Sequence, residues 1–447
     1  MATKLFGTDG IRGVANIELT PAIAFRLGQA VVTYLTDKSR ARFVIGRDTR
    51  ISGTMLESAL VAGITSAGAD AYLCGVIPTP AVARLIRELD MDGGIVISAS
   101  HNPPEFNGLK VFSREGFKLP DDLEEQIEAF LNSQERIDAP SGAEVGVAYQ
   151  QTDARERYIS FATNTLPPDS LAGLRVALDC GHGASGAASP EAFKRLGAEV
   201  TAINTDYTGN DINVGCGSTH LGPLVELVKS GNFDLGIAHD GDADRMLAVD
   251  EQGNEIDGDQ IMAILAADMH ERKVLHGDTV VSTVMCNLGF ERALSQLGFT
   301  VIKTKVGDRY VLEQMQAMGA NLGGEQSGHV ILLDHNSTGD GLVTALSLAS
   351  VVARTGKTLS ELSHIMTKYP QVLQNVHVAN KQHLGASARI TQAIKDAEEQ
   401  LGETGRVLVR ASGTEPLVRV MAEAQDIKQA EKVVAELAEV VVAELAL

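Results

Sequence analysis

The segment GGIVISASHN, residues 93–102, joins an apolar run to a polar loop, and the same order recurs twice further along the chain. The later copies are FDLGIAHDGDADR, residues 233–245, and ANLGGEQSGH, residues 320–329. Each apolar run predicts a buried strand, and each loop after it carries serine, histidine or acidic side chains. This internal similarity indicates one structural plan that is used three times.

Each of these runs closes a longer unit in which strand-like runs alternate with helical segments of about ten residues. The first unit begins at RFVIGRDTR, residues 42–50, and the other two span residues 175–245 and 279–329. This alternation predicts parallel βαβ units with helices on both faces of each sheet. Ligands bind at the carboxyl ends of the strands in such sheets, so we expect SASHN, DGDADR and GEQSGH to line one cleft.

The last part of the chain differs in kind. It combines the strand-like runs QVLQNVHV and RVLVRASGTEPLVRVMAEA with the helical ITQAIKDAEEQL and a final helix, for which Asp426 and Gln429 are spaced as a capping pair. The apolar stripe of that helix consists of Ile427, Val433, Val434, Leu437, Val440 and Val441. Its other face is acidic, so packing in the core of a small α+β domain is favoured over a membrane-surface helix.

The predicted fold class is therefore α/β. We expect three similar α/β domains with mixed, largely parallel sheets, and a smaller C-terminal α+β domain, around one central cleft. The predicted domains are 1–153, 154–256, 257–368 and 369–447. The first three carry the loops SASHN, DGDADR and GEQSGH, and the fourth carries RASGTEP.

The composition excludes several classes of protein. The 447 residues include 58 acidic and 38 basic ones, and the net charge of −20 disfavours a nucleic-acid partner. No apolar run approaches the roughly 18 residues of a membrane span, and the N-terminus lacks the apolar stretch of a signal peptide. The four cysteines lie far apart, which indicates neither a disulfide framework nor a zinc site. We expect a cytoplasmic protein whose partners are small molecules, not nucleic acid or membrane.

The loop DGDADR places Asp240, Asp242 and Asp244 at every second position after an apolar strand. Carboxylates spaced in this way can converge on one hard cation, and oxygen ligands favour Mg²⁺ or Ca²⁺. An EF-hand loop with Glu251 at its twelfth position is an alternative, but Arg245 stands where that loop needs glycine. A solvated acidic turn is the remaining alternative.

The stretch GHGASG, residues 181–186, matches a dinucleotide-binding fingerprint, and Asp206 follows at the expected distance. Ser189 and Pro190, however, predict the N-cap and first turn of the next helix, so the third glycine precedes the helix that it should pack within. A glycine-rich structural turn is therefore favoured over a nicotinamide site.

Two other loops carry candidate phosphate chemistry. Ser100 in SASHN lies at a strand end equivalent to that of the aspartate cluster, although an Asx-type turn is the simpler interpretation of Ser-His-Asn-Pro. The loop RASGTEPLVR combines two guanidinium groups, two hydroxyls and backbone amides that can cradle a phosphate dianion, and its alternative is an ordinary turn with surface arginines. Its candidate residues are Arg410, Ser412, Gly413, Thr414 and Arg419.

Together these motifs resemble the α-D-phosphohexomutase superfamily over essentially the whole chain. The matching stretches, in order, are FGTDGIRG, SASHNPP, GFKLP, DGDADR, VGDRYV, GGEQSGH, LLDHNSTGDG and RASGTEPLVRV. The resemblance implies an isomerase, an intramolecular phosphotransferase, that moves a phosphoryl group between two positions of a hexose. A sugar 1,6-bisphosphate is then expected as intermediate or activator.

The resemblance also assigns roles to individual residues. Ser100 would carry a phosphoryl group, and one Mg²⁺ per chain would be held by that group with Asp240, Asp242 and Asp244. The residues expected around the transferring phosphoryl group are Arg12, His101, Lys110 and Arg245, with Lys110 a candidate for general acid/base catalysis. The expected substrate-binding residues are Glu325, Ser327 and Arg309, and for the second phosphate Arg410, Ser412, Gly413, Thr414 and Arg419.

The motifs resemble two branches of the superfamily that differ in their substrates. GFKLP, VGDRYV and GEQSGH favour the branch that interconverts glucosamine 6-phosphate and glucosamine 1-phosphate, which supplies amino sugar for UDP-N-acetylglucosamine and the cell wall. PPEFNGLKVF, which begins at Pro103, instead resembles the branch that acts on glucose and mannose phosphates. Glucosamine phosphates are the favoured substrates, and whether the chain is a monomer or a homodimer stays open.

Overall fold

The structure is a computed structural model that describes residues 5–7, 9–38, 40–412 and 416–445. The chain forms two compact units. The first contains residues 1–285 and 300–365, and the second contains residues 286–299 and 366–447.

The first sheet of the first unit is built from the N-terminal part of the chain. Its elements are β1 (Phe6–Gly7), β2 (Gly10–Val14), α1 (Pro21–Leu35), β3 (Arg42–Arg47), α2 (Gly53–Ser66), β4 (Asp70–Val76), α3 (Thr79–Glu88), β5 (Gly93–Ile97), β6 (Phe106–Phe112), α4 (Asp121–Asn132) and β7 (Ala148–Gln150). The strand order is β1-β2-β6-β5-β3-β4-β7, and β3 pairs in parallel with both β4 and β5. All five residues of β5 are buried, which is typical of a strand that is covered on both faces.

The second sheet follows the same plan. Its elements are α5 (Ala154–Thr163), β8 (Arg175–Asp179), α6 (Ser189–Arg195), β9 (Glu199–Ile203), α7 (Gly222–Ser230), β10 (Leu235–His239), β11 (Met246–Asp250) and β12 (Glu255–Ile256). The order is β12-β11-β10-β8-β9, with β8 parallel to both β9 and β10. The helix α6 begins at Ser189 and its N-cap is Ala188, so the predicted N-cap was one residue too late.

The third sheet repeats the plan again. Its strands and the helices of this region are α8 (Gly258–Glu271), β13 (Thr279–Thr283), α9 (Leu288–Gln296), β14 (Thr300–Thr304), α10 (Asp308–Met318), β15 (Leu322–Gly324), β16 (Val330–Leu332), α11 (Gly341–Thr355) and α12 (Leu359–Ser363). The order is β14-β13-β15-β16, with β13 parallel to both β14 and β15. The helix α9 clusters with the second compact unit.

The three sheets thus share a four-stranded core of one topology, β6-β5-β3-β4, β11-β10-β8-β9 and β16-β15-β13-β14, which confirms the predicted repeat. In each, the third parallel strand turns back into an antiparallel neighbour, giving the pairs β5–β6, β10–β11 and β15–β16. The loops SASHN, DGDADR and GEQSGH lie in these three hairpins. The equivalence of the strand ends is therefore a consequence of the shared topology.

The second unit contains a small antiparallel sheet covered by helices. Its further elements are β17 (Gln371–His377), α13 (Ala388–Leu401), β18 (Arg406–Ala411), β19 (Leu417–Glu423) and α14 (Ile427–Leu445), with strand order β17-β19-β18. The predicted stripe of α14 packs in this core, except that Ile427 is 43% exposed. Asp426 accepts a hydrogen bond at Oδ1 from Lys428 N, at 3.0 Å, one residue earlier than the predicted capping partner.

Within the described residues, no helix has both the length and the apolar character that crossing a membrane requires. None of the four cysteines, all of which lie within the described residues, forms a disulfide. The domain boundaries given above stay predictions.

Candidate active site

Three hairpin loops of the first compact unit, residues 1–285 and 300–365, meet at one place. Ser100, in the loop between β5 and β6, donates a hydrogen bond from Oγ to Asp240 Oδ2 at 2.6 Å. Asp240 belongs to the loop between β10 and β11. From the third hairpin, His329 Nδ1 lies 3.7 Å from Asp244 Oδ1. The loops that sequence analysis singled out are therefore neighbours in space.

Ser100 is held in an uncommon conformation. Its φ is +53°, in the left-handed region that residues with a Cβ rarely adopt, and its side chain is almost fully buried. Its backbone N–H donates to Ser98 Oγ at 2.9 Å. The hydroxyl also lies 3.4 Å from His101 Nδ1. The loop thus directs a buried nucleophilic oxygen at the carboxylates of the neighbouring hairpin.

The aspartate cluster is formed by a tight hairpin loop. His239 pairs with Met246 across β10 and β11, which leaves the six residues DGDADR to make the connection. Thr79, at the start of α3, donates to Asp242 Oδ2 at 2.6 Å and to the backbone of the same residue. Burial and the charges of Asp244 and Asp242 raise the pKa of Asp240. Three buried carboxylates in one loop therefore repel one another.

The cluster fits a hard divalent cation. One carboxylate oxygen from each of Asp240, Asp242 and Asp244 lies within 4.8 Å of the others. Asp242 Oδ1 is buried and accepts no hydrogen bond from the described residues, and the donors beside the buried Asp244 Oδ1, His329 Nδ1 and Arg245 Nε, lie 3.7 and 3.8 Å away. Buried carboxylate oxygens without a donor are costly unless a cation binds them, and an all-oxygen ligand set favours Mg²⁺ or Ca²⁺.

The EF-hand alternative does not fit this geometry. Because β11 runs antiparallel to β10, Glu251 lies beyond the far end of β11. There Glu251 Oε2 accepts a hydrogen bond from Ser360 N at 3.2 Å. The fourth carboxylate of the EF-hand pattern therefore belongs to a different contact.

Lys110 places an ammonium group inside the cluster. Its Nζ lies 2.8 Å from Asp242 Oδ2, 3.0 Å from Asp244 Oδ2 and 3.1 Å from Asp9 Oδ2. Burial opposes the charged form, but Asp242, Asp244 and Asp9 together raise the pKa of Lys110 well above its usual value. The lysine is thus a fixed positive charge beside the carboxylates.

The other predicted catalytic residues surround the same loops. Arg12 donates to Asn102 Oδ1 at 3.3 Å. Arg245 Nε lies 3.8 Å from Asp244 Oδ1. Burial, followed by the positive charges of Arg245 and Arg12, lowers the pKa of His101 to about 4, so its imidazole is neutral at pH 7.

Asp9 is a site residue that sequence reasoning missed. Its carboxylate pairs with Arg12, Lys110 and Lys118, and Lys118 also contacts Asp308 Oδ2 at 2.5 Å. The only sequence signal was its position inside FGTDGIRG, three residues before Arg12. Asp9 is thereby the shared partner of Arg12, which is close to it in the sequence, and of Lys110 and Lys118, which follow about a hundred residues later.

The third hairpin presents Glu325 and Ser327. Glu325 is half-buried and accepts a hydrogen bond at Oε1 from Gly307 N at 3.1 Å, whereas Ser327 is exposed. Arg309, the third predicted substrate contact in this part of the chain, lies at the start of α10. Its guanidinium pairs with Asp121, Glu124 and Glu313, at 2.5, 3.3 and 3.1 Å respectively. Substrate binding by Arg309 stays a prediction that would require these partners to share it.

The second unit carries the candidate phosphate loop. Arg410 and Arg419 are directly opposite each other on β18 and β19, so their side chains leave the same face of the sheet. Burial and the charge of Arg419 lower the pKa of Arg410. Ser412 is buried, whereas Gly413 and Thr414 lie outside the described residues. Two neighbouring guanidinium groups favour an anion between them.

The GHGASG segment supports the neighbouring loop and has a structural reason for its glycines. A Cβ on Gly183 would lie 2.5 Å from the backbone oxygen of Gly241 in DGDADR. A Cβ on Gly186 would lie 2.4 Å from the backbone oxygen of Thr205. Close packing of backbones therefore requires glycine at both positions, which favours the structural turn over a dinucleotide site.

Family models cover nearly the whole chain. Those for phosphoglucomutase/phosphomannomutase match as alpha/beta/alpha domain I at residues 3–138, domain II at 156–253, domain III at 257–369 and the C-terminal domain at 373–440. The chain belongs to the phosphoglucomutase/phosphomannomutase family. It is thus a member of the phosphohexomutases, a class of phosphoryl-transferring isomerases.

Individual relatives are similar over their full length. The phosphoglucosamine mutase of Carboxydothermus hydrogenoformans is 52% identical over 440 residues, which cover 98% of this chain and 99% of the relative. That of Caldanaerobacter subterraneus subsp. tengcongensis is 51% identical over 441 residues, 98% of each chain. Among solved structures, a phosphoglucomutase/phosphomannomutase family protein from Burkholderia thailandensis has the same fold, with a TM-score of 0.82 at 24% identity over 98% of this chain and 97% of that one.

Proposed function

We propose that this protein is a phosphoglucosamine mutase, which interconverts glucosamine 6-phosphate and glucosamine 1-phosphate through a phosphoserine at Ser100. The observation that carries the mechanism is the 2.6 Å contact between Ser100 Oγ and Asp240 Oδ2 inside a cluster of three buried aspartates. The substrate assignment is supported by relatives of that name at 51–52% identity over nearly the whole chain. Sugar phosphates are accordingly the small-molecule partners of the site.

The proposed transfer needs no reactant besides the phosphoserine and the sugar phosphate. In the first half of the reaction, the bond between phosphorus and Ser100 Oγ breaks and a bond to a sugar hydroxyl oxygen forms. The hydroxyl proton ends on Ser100 Oγ, and neutral His101, with Nδ1 at 3.4 Å from that oxygen, is placed to pass it. In the second half, after the sugar bisphosphate has turned over in the site, the bond between its other phosphorus and the sugar oxygen breaks and a bond to Ser100 Oγ forms. The Ser100 proton moves to that sugar oxygen, so the phosphoserine is regenerated.

Charge explains why these residue types are needed. Two unit charges of like sign about 4 Å apart repel by roughly 4 kcal/mol at an effective dielectric constant of about 20. Asp240, Asp242 and Asp244 would hold one Mg²⁺, which when bound offsets this repulsion and the charge on the phosphoryl oxygens. Lys110 and Arg245 add fixed positive charge, since transfer depends mainly on positioning and electrostatic stabilisation.

The remaining contacts would orient the sugar. Glu325 can accept hydrogen bonds from sugar hydroxyls, and its negative charge suits an ammonium group at C2. Arg410, Ser412 and Arg419 would bind the phosphate that is not being transferred, because a pair of guanidinium groups binds a dianion strongly. This loop has to accept a phosphate from either end of the hexose in turn.

A comparison of substrates tests the proposal. We expect kcat/KM for glucosamine 1-phosphate to exceed that for glucose 1-phosphate by about ten- to a few-hundred-fold, since the sugars differ only at C2 and one polar contact is worth about 1–3 kcal/mol. The measurement is a coupled assay of both sugars with the purified protein. Equal or better turnover of glucose 1-phosphate would instead assign the protein to the phosphomannomutase/phosphoglucomutase branch.

Glu325→Gln is expected to lower kcat/KM for both sugars by about tenfold or more, because the shared hydroxyl contacts lose a charged acceptor. The amide oxygen of glutamine can still accept the hydrogen bond from Gly307 N, so the melting temperature should change little. Glu271→Gln, at an exposed position at the end of α8, is the matched control and should behave as wild type. Unchanged kinetics in Glu325→Gln would remove Glu325 from the site.

A further inference from the structure

The loop that carries Ser100 rests on a fully buried arginine. Arg50, which follows β3, has no exposed surface, and its guanidinium donates hydrogen bonds to the backbone oxygens of Ser100, at 3.0 Å, of Asn102, at 2.7 Å, and of Pro103. One side chain thus satisfies three carbonyl groups of a four-residue segment. A guanidinium is suited to this because its donors are held in one rigid plane.

The partner of Arg50 fixes the other side of the same serine. Arg50 Nε donates to Asp48 Oδ2 at 2.9 Å, and that oxygen also accepts a hydrogen bond from Ser98 Oγ at 2.7 Å. Ser98 Oγ in turn accepts the backbone N–H of Ser100 at 2.9 Å. Both the N–H and the C=O of Ser100 are therefore held by one buried ion pair.

A second hydrogen-bond donor to the Ser100 loop comes from a connecting segment of the second sheet's region. Asn213 Nδ2, in the segment between β9 and α7, donates to the backbone oxygens of Ser100 at 2.9 Å and of Asn102 at 3.2 Å. These are two of the three oxygens that Arg50 holds. A left-handed conformation such as that of Ser100 persists only where the surroundings over-determine it. Arg50 and Asn213 supply that restraint.

We propose that Arg50 is a positioning residue for phosphoryl transfer: with Asp48 and Asn213 it holds Ser100 in its left-handed conformation, so that Oγ faces the aspartate cluster. We call these three residues, Arg50, Asp48 and Asn213, the clamp, and their role rests on the proposed mutase function. The side-chain hydrogen bonds of Arg50 go to Asp48 and to the backbone oxygens of the loop, so it acts on Ser100 through the backbone. Its effect should therefore fall on the rate of transfer and not on sugar binding.

Arg50→Lys tests this role, because an ammonium group cannot reach three carbonyls and Asp48 in one plane. We expect kcat to fall about 100-fold, as for a reacting atom displaced by about 1 Å, while KM changes by less than about threefold. Arg47→Lys is the matched control: Arg47 ends the same strand and pairs with Glu57 at 3.3 Å. It should keep the wild-type kcat. A wild-type kcat in folded Arg50→Lys, or a loss confined to KM, overturns the proposal.

Asn213→Ala keeps the test decisive if Arg50→Lys does not fold. It removes a neutral donor from a half-buried position, and we expect about a tenfold lower kcat with a retained thermal transition. A wild-type kcat in this variant counts against the clamp.

Hydrogen exchange of the peptide that covers residues 98–106 separates this proposal from the proposed function. Faster exchange in Arg50→Lys than in wild type and Arg47→Lys supports the clamp whatever the activity. Wild-type protein that turns over no hexose phosphate contradicts the mutase assignment, whereas active wild type with unchanged exchange in Arg50→Lys contradicts the clamp alone.

Discussion

Ser100→Ala protein is expected to lose mutase activity by about three orders of magnitude or more, because the oxygen that carries the phosphoryl group is gone. Asp240, which accepts a hydrogen bond from Ser100 Oγ, keeps its other contact, with the backbone N–H of Arg245 at 3.2 Å. The left-handed conformation at position 100 is as available to alanine as to serine. The fold should therefore persist, with a melting temperature within a few degrees of that of wild type.

The assay should follow covalent labelling as well as turnover. Wild-type protein incubated with ³²P-labelled glucose 1,6-bisphosphate should acquire label on the peptide that contains Ser100, and Ser100→Ala should acquire none. Ser113→Ala is the matched control, since Ser113 follows β6 and its hydroxyl contacts Glu115 at 2.8 Å. Wild-type-like turnover by Ser100→Ala would eliminate the phosphoserine mechanism, whatever the labelling.

The repeated strands could be predicted because their signal is local. Apolar runs such as RFVIG, RVALD and TVVST become the central strands β3, β8 and β13, and each is followed by a helix with its own periodicity. The returning strands β6, β11 and β16 were not assigned individually from the sequence. Their pairing depends on a sheet edge that exists only after the parallel strands have assembled, so no local pattern identifies them.

The site likewise contains residues with a local sequence signal and residues without one. Ser100 and the aspartates stand out because unusual residue types follow apolar strands at short spacing. Their supports do not, because each contact joins distant parts of the chain: Thr79 with Asp242, and Arg50 with the backbone of Ser100. A buried arginine has the same letter as an exposed one. Only the folded structure separates Arg50 from a surface charge such as Arg389, whose side chain is 64% exposed.

Asp242→Asn is expected to weaken binding of a divalent cation and to lower activity by about 100-fold or more. Asp242 Oδ2 accepts hydrogen bonds from Thr79 Oγ1 at 2.6 Å and from Lys110 Nζ at 2.8 Å, whereas Oδ1 is buried without a donor. In asparagine the amide oxygen has to take the side of these two donors. The NH₂ group then occupies the position of Oδ1, so the side chain keeps its shape while the cation loses a ligand.

Direct titration with Mn²⁺, followed by electron paramagnetic resonance, measures this loss without any activity assay. Asp250→Asn is the control at the end of the same hairpin, where Asp250 Oδ1 accepts the N–H groups of Gln252 at 2.9 Å and Asn254 at 2.8 Å. Asparagine can keep these contacts through its amide oxygen, but its NH₂ group cannot accept the hydrogen bond that Asn254 Nδ2 donates to Asp250 Oδ2 at 2.9 Å. Asp250→Asn should therefore lower the melting temperature and leave Mn²⁺ affinity unchanged. The two variants thus separate loss of a ligand from loss of stability. Wild-type Mn²⁺ affinity in Asp242→Asn, or full wild-type activity after exhaustive chelation, would contradict a metal site at the aspartate cluster.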